Sequence, residues 1–262
     1  MDLSLPKSHI SILIPIYNTP SQYIRECFAS ILHQQGAFCI ELVIVNDGSN
    51  AETTETILQT IDMIETRQPV DNLVFTVVYR EHPENLGISA ALNWGVTAAS
   101  NEIVFRMDAD DIMSPDRIAK QYDFITLRPY LACCGGNMHT FYERKNHANG
   151  LPYKQIISTT NMEEHIILQE YVKTRKDWIM NHPTLVFRRS AVLEVGNYNI
   201  ENRAGFEDLE LELKLLKRDG VLENMPDILL LYRLHDAQVT QKNRGNTEAA
   251  RLRGEMIDEL LL

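Results

Sequence analysis

The amino-terminal half of the chain alternates between short apolar runs and segments with helical spacing. The apolar runs are Ile10–Ile16, Ile40–Val45, Leu73–Tyr79 and Glu102–Met107, and helical patterns lie between them at 21–35, 52–66 and 88–99. Strands that alternate with helices of this length predict a mostly parallel sheet covered by helices on both faces. We therefore expect an α/β fold.

The second half is less regular. It contains an apolar segment, Leu131–Met138, and a polar stretch at 143–160. We expect helices at 161–172 and 207–218, strands at His182–Phe187 and Ile228–Tyr232, and an amphipathic segment at 247–262. The length of 262 residues allows one large domain or two small ones, and we expect one continuous domain over 1–262.

Composition excludes some classes of protein. The chain has 25 Lys plus Arg against 36 Asp plus Glu, a formal net charge of −11, which argues against a nucleic-acid binder because such proteins need clustered basic surface. Four cysteines without a CxxC pair fit buried free thiols. No apolar run approaches the roughly 18 residues of a membrane span, and the first residues lack the pattern of a secretory signal. We expect a cytoplasmic protein, and peripheral attachment to a membrane stays open.

Three carboxylates follow the strand at 102–107, in the sequence Asp108-Ala-Asp-Asp111. Carboxylates packed this closely repel one another unless a cation compensates. Oxygen ligands select hard ions such as Mg²⁺ or Mn²⁺, which complete their shell with phosphates and water. An isolated cluster of this kind fits equally well a helix cap with solvated neighbours. Its place at a strand end, beside the Asn46-Asp47 turn of another strand, favours a nucleoside diphosphate held through a metal.

Seven motifs in order give the chain a likeness to a known family. They are Ile14-Pro-Ile-Tyr-Asn18, Val45-Asn-Asp-Gly-Ser49, Asn85-Leu-Gly-Ile-Ser-Ala-Ala-Leu-Asn93, Arg106-Met-Asp-Ala-Asp-Asp111, Asn181-His-Pro-Thr184, Phe206-Glu-Asp208 and Tyr232-Arg-Leu-His235. From Ile10 to about Thr240 the chain resembles the family 2 glycosyltransferases with the GT-A fold. The resemblance implies a nucleotide-binding half at 8–111, an acceptor-binding and catalytic half at 112–240, and a helical tail at 241–262.

The resemblance also implies roles for individual residues. Donor-binding positions would be Pro15, Tyr17, Asn18, Asp47, Asn85, Gly87, Arg106 and Asp108. Asp110 and His235 would contact a Mn²⁺ or Mg²⁺ ion, and Arg233 fits a phosphate contact or a surface salt bridge equally well.

Catalysis would need a carboxylate that takes the proton of the acceptor hydroxyl. The resemblance places Asp208 in this role, with Glu207 as the alternative. Without the family context, an acidic pair at a helix start is explained by the helix dipole alone. The acceptor side would include His182, Thr184 and Trp178, although core packing is the more common role for such a tryptophan.

The sequence departs from the family pattern at three places. Asn46 replaces the first acid of a frequent acidic pair, Trp94 stands where a basic residue is often found, and Leu209-Glu-Leu211 replaces an aromatic-Asp-aromatic run. These changes affect donor and acceptor identity and leave the metal and base positions in place.

The expected function is that of a metal-dependent inverting glycosyltransferase. It would move a sugar from a nucleoside diphosphate, with UDP favoured, to a hydroxyl group on a glycan, a lipid-linked or a protein-linked acceptor. Two alternatives remain: a sugar-phosphate nucleotidyltransferase, although the Tyr17–Pro20 turn lacks a Gly-rich basic loop, and a non-catalytic carbohydrate-binding relative. The terminal Leu260-Leu-Leu262 leaves core packing, homo-oligomer formation and a membrane-surface contact open.

Overall fold

A mixed sheet runs through the part of the chain that the structure describes. The structure is a computed structural model, and it describes residues 8–66, 72–145, 152–175, 179–201, 205–235 and 247–261. The strands are β1 Ser8–Ile16, β2 Phe38–Asn46, β3 Leu73–Glu81, β4 Ile103–Arg106, β5 Ile112–Met113, β6 Cys133–Lys145, β7 Pro152–Thr159, β8 His165–Ile167, β9 Val186–Arg188 and β10 Val221–Arg233. The helices are α1 Ser21–Leu32, α2 Ala51–Thr66, α3 Ile88–Ala98, α4 Arg117–Thr126, α5 Leu168–Thr174, α6 Arg189–Glu194, α7 Glu207–Asp219 and α8 Thr247–Leu261.

The strand order is β3-β2-β1-β4-β9-β6-β10-β5, with β7 paired to β6 and β8 paired to β10. The first four of these strands are mutually parallel, and β10 is parallel to β6, whereas β9 runs antiparallel to both of its neighbours. The expected α/β fold with a mostly parallel sheet is therefore confirmed. The carboxyl ends of β1, β2 and β4 meet at one edge of the sheet, where the polar motifs begin.

Helices cover the sheet on two faces. Side chains of α1, α2 and α4 pack into one core cluster, while those of α3, α6, α7 and α8 pack into a second. Strand β1 feeds both clusters, because Ile10, Ile12, Ile14 and Ile16 point to the first and Leu13 points to the second. Successive residues of β1 therefore contribute to the apolar cores on opposite faces of the sheet, and both faces are buried.

The second half differs from its expected elements at three places. The helix expected at 161–172 is instead β8 followed by α5, because the β-branched residues Ile166 and Ile167 pair with β10. The strand expected at His182–Phe187 begins as a 3₁₀ turn at His182–Thr184, since Pro183 has no N–H for a strand ladder. The polar stretch 143–160 contains β7, which pairs with β6.

Strand β10 is longer than its expected core at Ile228–Tyr232. It starts at Val221 and continues through Pro226 by a shift of register between Met225 and Ile228. Proline is tolerated within a sheet at such irregularities. Because Pro226 interrupts the apolar pattern, the sequence did not indicate the first half of the strand.

The predictions on the cysteines and on the chain end agree with the structure in most respects. All four cysteines are free as expected; Cys27, Cys133 and Cys134 are buried, whereas Cys39 is only half-buried. Leu260 and Leu261 pack against the second core cluster, which supports the core alternative for the chain end, and Leu262 lies outside the described residues. Among the described residues, no helix combines the length and the apolar character needed to cross a bilayer. The division at 111 and 240 stays a prediction.

Two helical glycines give a matched test of the α3–β1 contact. A Cβ on Gly95 of α3 would lie 2.0 Å from Leu13 Cδ1, whereas one on Gly254 of α8 would meet no atom within 4 Å. We expect Gly95→Ala to lower the free energy of unfolding by about 1–3 kcal/mol through overpacking. Gly254→Ala should raise it by up to about 1 kcal/mol through helix propensity.

Urea denaturation of the two variants and the wild-type protein measures both effects. A Gly95→Ala variant as stable as Gly254→Ala would show that α3 does not need close contact with β1.

Candidate active site

The acidic cluster lies immediately after β4, at the sheet edge predicted from the sequence. Carboxylate oxygens of Asp108, Asp110 and Asp111 all lie within 4.8 Å of one another. Each carboxylate has a partner from a different position in the chain. Arg106 Nη1 donates to Asp108 Oδ2 at 2.5 Å, His235 Nε2 lies 2.8 Å from Asp110 Oδ2, and the Arg233 backbone N–H donates to Asp111 Oδ1 at 2.8 Å.

Asp111 is the least satisfied member of the cluster. Its side chain is fully buried, and its Oδ2 has no hydrogen-bond partner among the described residues. Burial, and then the charges of Asp110 and Asp108, raise its pKa well above the usual range. A divalent cation would remove this repulsion, and an all-oxygen set suits Mg²⁺ or Mn²⁺. The residues present therefore fit a metal, and the His235 imidazole lies against the Asp110 carboxylate.

Asp47, at the end of β2, holds the loop between β3 and α3 through hydrogen bonds. Asp47 is buried; its Oδ1 accepts from His82 Nδ1 at 2.7 Å and from the Leu86 N–H at 3.0 Å, and its Oδ2 accepts from the Gly87 N–H at 2.9 Å. A carboxylate offers about four acceptor positions, so Asp47 has about one left for a ligand. His82 was not singled out in the sequence, because nothing in its neighbourhood signals a partner 35 residues away.

Gly48 shows how closely this loop approaches β2. Its φ is +68°, and a Cβ there would lie 2.3 Å from the carbonyl carbon of Glu84 and 2.6 Å from Asn85 N. Only glycine fits this contact. Gly87, with φ of +94°, turns the loop into α3, and Asn85 before it is exposed.

The loop after β1 is tied to the loop after β2. Asn18 has a left-handed backbone with φ of 47°; its N–H donates to Ser49 Oγ at 3.1 Å, and its Oδ1 accepts from the Asn50 N–H at 2.8 Å. Pro15 is buried within β1, whereas Tyr17 is 50% exposed. Of the predicted donor-binding residues on these loops, Tyr17, Asn18 and Asn85 are therefore the exposed ones.

Glu207 and Asp208 open α7 beside the acidic cluster. Burial, and then the charge of Asp208, raise the pKa of Glu207 to about 7, and the charges of Arg106 and Asp108 also act on it. The Glu207 Oε2 atom is buried without a hydrogen-bond partner among the described residues. The pKa of Asp208 is raised by burial, and its Oδ1 accepts from the Leu209 N–H at 2.7 Å. The carboxyl groups at the start of α7 thus lie within electrostatic reach of Arg106, at the end of β4.

The predicted acceptor-side residues lie below the surface of this site. His182 is buried, with its Nε2 2.9 Å from the Tyr198 hydroxyl; burial and the charge of Arg106 hold its pKa well below the usual range, so its ring is neutral. Thr184 is fully buried, and its hydroxyl donates to the Asn181 carbonyl and accepts from the Gly136 N–H. Trp178 lies outside the described residues.

Two buried arginines support the end of β4. The Nη2 of Arg117, from α4, donates to the Arg106 carbonyl at 2.8 Å, and its Nε donates to Gln121 Oε1 at 2.8 Å. Arg106 itself is buried, and its Nε has no partner among the described residues. Arg117 carried no sequence signal, since it reads as an ordinary arginine at a helix start.

Glu212 is a further buried carboxyl that the sequence did not reveal. It lies one helical turn after Asp208 and is 3% exposed, and its Oε1 has no hydrogen-bond partner among the described residues. Burial raises its pKa well above the usual range, and the charges of Asp208 and Glu207 add to the effect. The signal in the sequence is its place within a run of leucines.

The pKa of Glu212 predicts how stability depends on pH. An unfolded glutamate ionises near pH 4.3, well below the raised pKa of folded Glu212, so a rise in pH stabilises the unfolded state relative to the folded one and lowers the free energy of unfolding. Glu212→Gln removes this loss. We expect the variant to exceed the wild-type protein in free energy of unfolding by about 1–3 kcal/mol at pH 8, and by less at pH 5.

Urea denaturation from pH 5 to pH 8 measures this difference in free energy of unfolding. Glu207 titrates in both proteins, so its contribution to the difference cancels to first order. Glu65→Gln, at an exposed position in α2, is the control and should change stability by no more than about 0.5 kcal/mol. A constant difference between Glu212→Gln and the wild-type protein over this range would contradict a protonated Glu212.

Comparisons with known proteins agree with this geometry. The model of the glycosyl transferase family 2 matches residues 11–196. An uncharacterized glycosyltransferase of Haemophilus influenzae is 31% identical over 245 residues, which are 93% of this chain and 82% of that protein. The amylovoran biosynthesis glycosyltransferase AmsE of Erwinia amylovora is 29% identical over 237 residues, covering 90% of this chain and 79% of that protein.

Solved structures show the same fold. S. aureus TarS 1-349 in complex with UDP-GlcNAc superposes with a TM-score of 0.66 at 18% identity, over 97% of this chain and 70% of that one. The mannosyltransferase PcManGT from Pyrobaculum calidifontis, in complex with GDP-Man and Mn²⁺, gives a TM-score of 0.61 at 18% identity, and this chain spans 61% of it. The chain has a GT-A type fold and belongs to glycosyl transferase family 2.

Proposed function

We propose that this protein is a metal-dependent, inverting glycosyltransferase that moves a hexosyl group from a nucleoside diphosphate sugar to a hydroxyl group. We favour UDP as the nucleotide and a polysaccharide, lipid-linked or protein-linked glycan as the acceptor. The proposal rests on one observation above all: the carboxyl groups of Glu207 and Asp208 both lie within electrostatic reach of Arg106, which is paired with Asp108 of the acidic cluster. This proximity supports a base and a metal-binding cluster that belong to one site.

The donor would lie across the carboxyl ends of β1, β2 and β4, which is where open α/β sheets bind their ligands. Tyr17 and Asn85 offer exposed side chains to the nucleoside, and Asp47 offers its remaining acceptor position. Structural neighbours in complex with UDP-GlcNAc and with GDP-Man support a nucleotide sugar as donor.

Asp108, Asp110 and Asp111, with His235, would hold the divalent cation. Such an ion, when bound, neutralises the charge that develops on a departing diphosphate. Arg106 holds Asp108 by a direct ion pair, so its orientation is set before any ion arrives.

The base would remove the proton of the acceptor hydroxyl as that oxygen attacks the anomeric carbon. Attack from the face opposite the leaving diphosphate inverts the configuration. We assign this role to Asp208, whose carboxylate is oriented by the Leu209 N–H, and keep Glu207 as the alternative. A pKa of about 7 leaves Glu207 able to accept or donate a proton near neutral pH.

The relatives favour an acceptor in polysaccharide synthesis, since AmsE acts in amylovoran biosynthesis. The rival nucleotidyltransferase would release pyrophosphate from a nucleoside triphosphate and a sugar phosphate. The rival carbohydrate-binding protein would have no use for a base, so removal of Asp208 would leave all of its activity unchanged.

Binding of the donor predicts a metal-dependent rise in thermal stability. With UDP at about 100 times its Kd, the folded state gains about 2.7 kcal/mol, or roughly 5–10 °C in Tm for a chain of this size. We expect this shift for UDP with Mn²⁺ and a much smaller one without the metal. GDP, dTDP and CMP are tested in parallel, and a larger shift for one of them would assign the donor to that nucleotide instead. Differential scanning fluorimetry measures these shifts.

Asp110→Asn should remove the Mn²⁺-dependent part of the shift, whereas Asp62→Asn, at an exposed position in α2, should keep it. The absence of any shift for all four nucleotides would sink the donor-site assignment and favour the carbohydrate-binding alternative.

Removal of the base predicts a loss of turnover without a loss of donor binding. Asp208→Asn should lower kcat by about 10²–10⁴ while leaving the thermal shift with UDP and Mn²⁺ intact. If Glu207 is the base instead, Glu207→Gln causes the larger loss, and in the wild-type protein kcat rises with pH through about 7 because only the ionised carboxylate accepts a proton.

Steady-state release of UDP from a UDP-sugar, measured from pH 5.5 to pH 9, separates the two assignments. Full activity in both variants would contradict a base at the start of α7.

A further inference from the structure

Arg233 is a buried cation beside the acidic cluster. It ends β10 and is 1% exposed, although arginine is almost never fully buried unless its charge is paired. Its Nη2 donates to Glu26 Oε2 of α1 at 2.9 Å, and its Nη1 donates to Glu143 of β6. The two carboxylates compensate the buried guanidinium.

The same arginine holds two members of the acidic cluster. Its Nε donates to the Asp110 carbonyl at 2.7 Å, and its backbone N–H donates to Asp111 Oδ1 at 2.8 Å. One residue therefore fixes the backbone of Asp110 and the side chain of Asp111. Both contacts bridge more than 120 positions of sequence.

Aromatic rings clamp the guanidinium in place. Its central carbon lies 4.1 Å from the ring centroid of Tyr23 and 4.9 Å from that of Phe141. Contacts of this kind stabilise a cation over the face of a ring. The Tyr23 ring also lies 5.4 Å from the His235 imidazole, so the clamp continues to the side chain that contacts Asp110.

Glu26, the partner of Arg233 on α1, is itself held by a second cation. The Nζ atom of Lys154, from β7, lies 3.0 Å from Glu26 Oε2. Burial raises the pKa of Glu26, but hydrogen bonds from Gln22, Arg233 and Lys154 outweigh it and lower that pKa to about 2. Glu26 thus stays ionised and keeps the guanidinium oriented, and the arginine has little freedom to serve as a mobile phosphate contact.

We propose that Arg233 is a positioning residue that fixes Asp110 and Asp111 for binding of the divalent cation. This inference rests on the proposed function, because it concerns the same cluster. It replaces both sequence-based interpretations of Arg233: the guanidinium is buried rather than at the surface, and its described partners are carboxylates and a carbonyl.

Arg233→Lys tests the inference directly. An ammonium group is compact and lacks the planar fork, so it cannot contact Glu26, Glu143 and the Asp110 carbonyl together. We expect the Kd for Mn²⁺ to rise by about 10–100-fold, the usual effect of losing a partner of a metal ligand. Electron paramagnetic resonance of unbound Mn²⁺, titrated into the purified protein, measures this Kd without turnover.

Arg188→Lys is the matched control for loss of a structural arginine. Arg188 lies at the opposite end of β4, and its guanidinium donates to the carbonyls of Leu131 and Ile125 at 3.0 and 2.9 Å. This variant should lose stability without a change in Mn²⁺ affinity. In Arg233→Lys, saturating Mn²⁺ should in addition restore most of the lost kcat, which a merely structural defect would not allow.

Glu143→Gln keeps an acceptor for Arg233 and serves if Arg233→Lys does not fold. It should raise the Kd for Mn²⁺ several-fold. If the wild-type protein binds Mn²⁺ and these variants bind it equally well, the inference on Arg233 is wrong and the proposed function stands. A wild-type protein that binds no Mn²⁺ overturns both.

Discussion

Mutual repulsion among the three carboxylates after β4 is the constraint on which the rest of the site depends. Their oxygens lie within 4.8 Å of one another, so each needs its own donor or counter-charge before the loop can be stable. The partners come from β4 itself, from the end of β10 and from the residues just beyond it. Strand β5, which follows the cluster directly, pairs with Leu230 and Leu231 of β10 and so brings Arg233 to the cluster. The pairing of β5 with β10 therefore holds the end of β10 next to the cluster.

The buried guanidinium of Arg106 is a second positive charge at the site, after that of Arg233, and it acts on the carboxyl groups at the start of α7. Arg106 is buried, and its charge acts on Asp108, Asp111, Glu207, Asp208 and Glu212. Burial, and then the charge of Arg106, hold the pKa of His182 well below its usual range, because a second buried cation beside Arg106 would be unfavourable. In a chain with a net charge of −11, the buried arginines Arg106, Arg117 and Arg233 thus allow several carboxylates to share a small volume.

The sequence predicted the parts of the fold in which local pattern and tertiary packing agree. The first four strands and three helices have clean periodicity, and their observed bounds lie within a few residues of those expected. The second half failed where proline interrupts a pattern, at Pro183 and Pro226, and where β-branched residues pair with a distant strand. The motifs identified the carboxylates of the site but could not reveal their partners. His82 contacts Asp47 directly, Glu26 and Glu143 act through Arg233, and Arg117 acts through the Arg106 carbonyl; only the folded chain makes these contacts.

The distribution of these partners along the chain explains why the site needs almost its full length. The family model ends at residue 196, yet Glu207, Asp208, Arg233 and His235 follow it. The earlier segment supplies the strand ends and three carboxylates that repel one another. The later segment supplies the groups that hold those carboxylates, and also the carboxyl group of Glu207, which lies within electrostatic reach of Asp108. Neither segment forms a balanced charge arrangement alone, so the two are under a common physical constraint. Similarity to the Haemophilus influenzae relative over 93% of this chain is what such a constraint predicts.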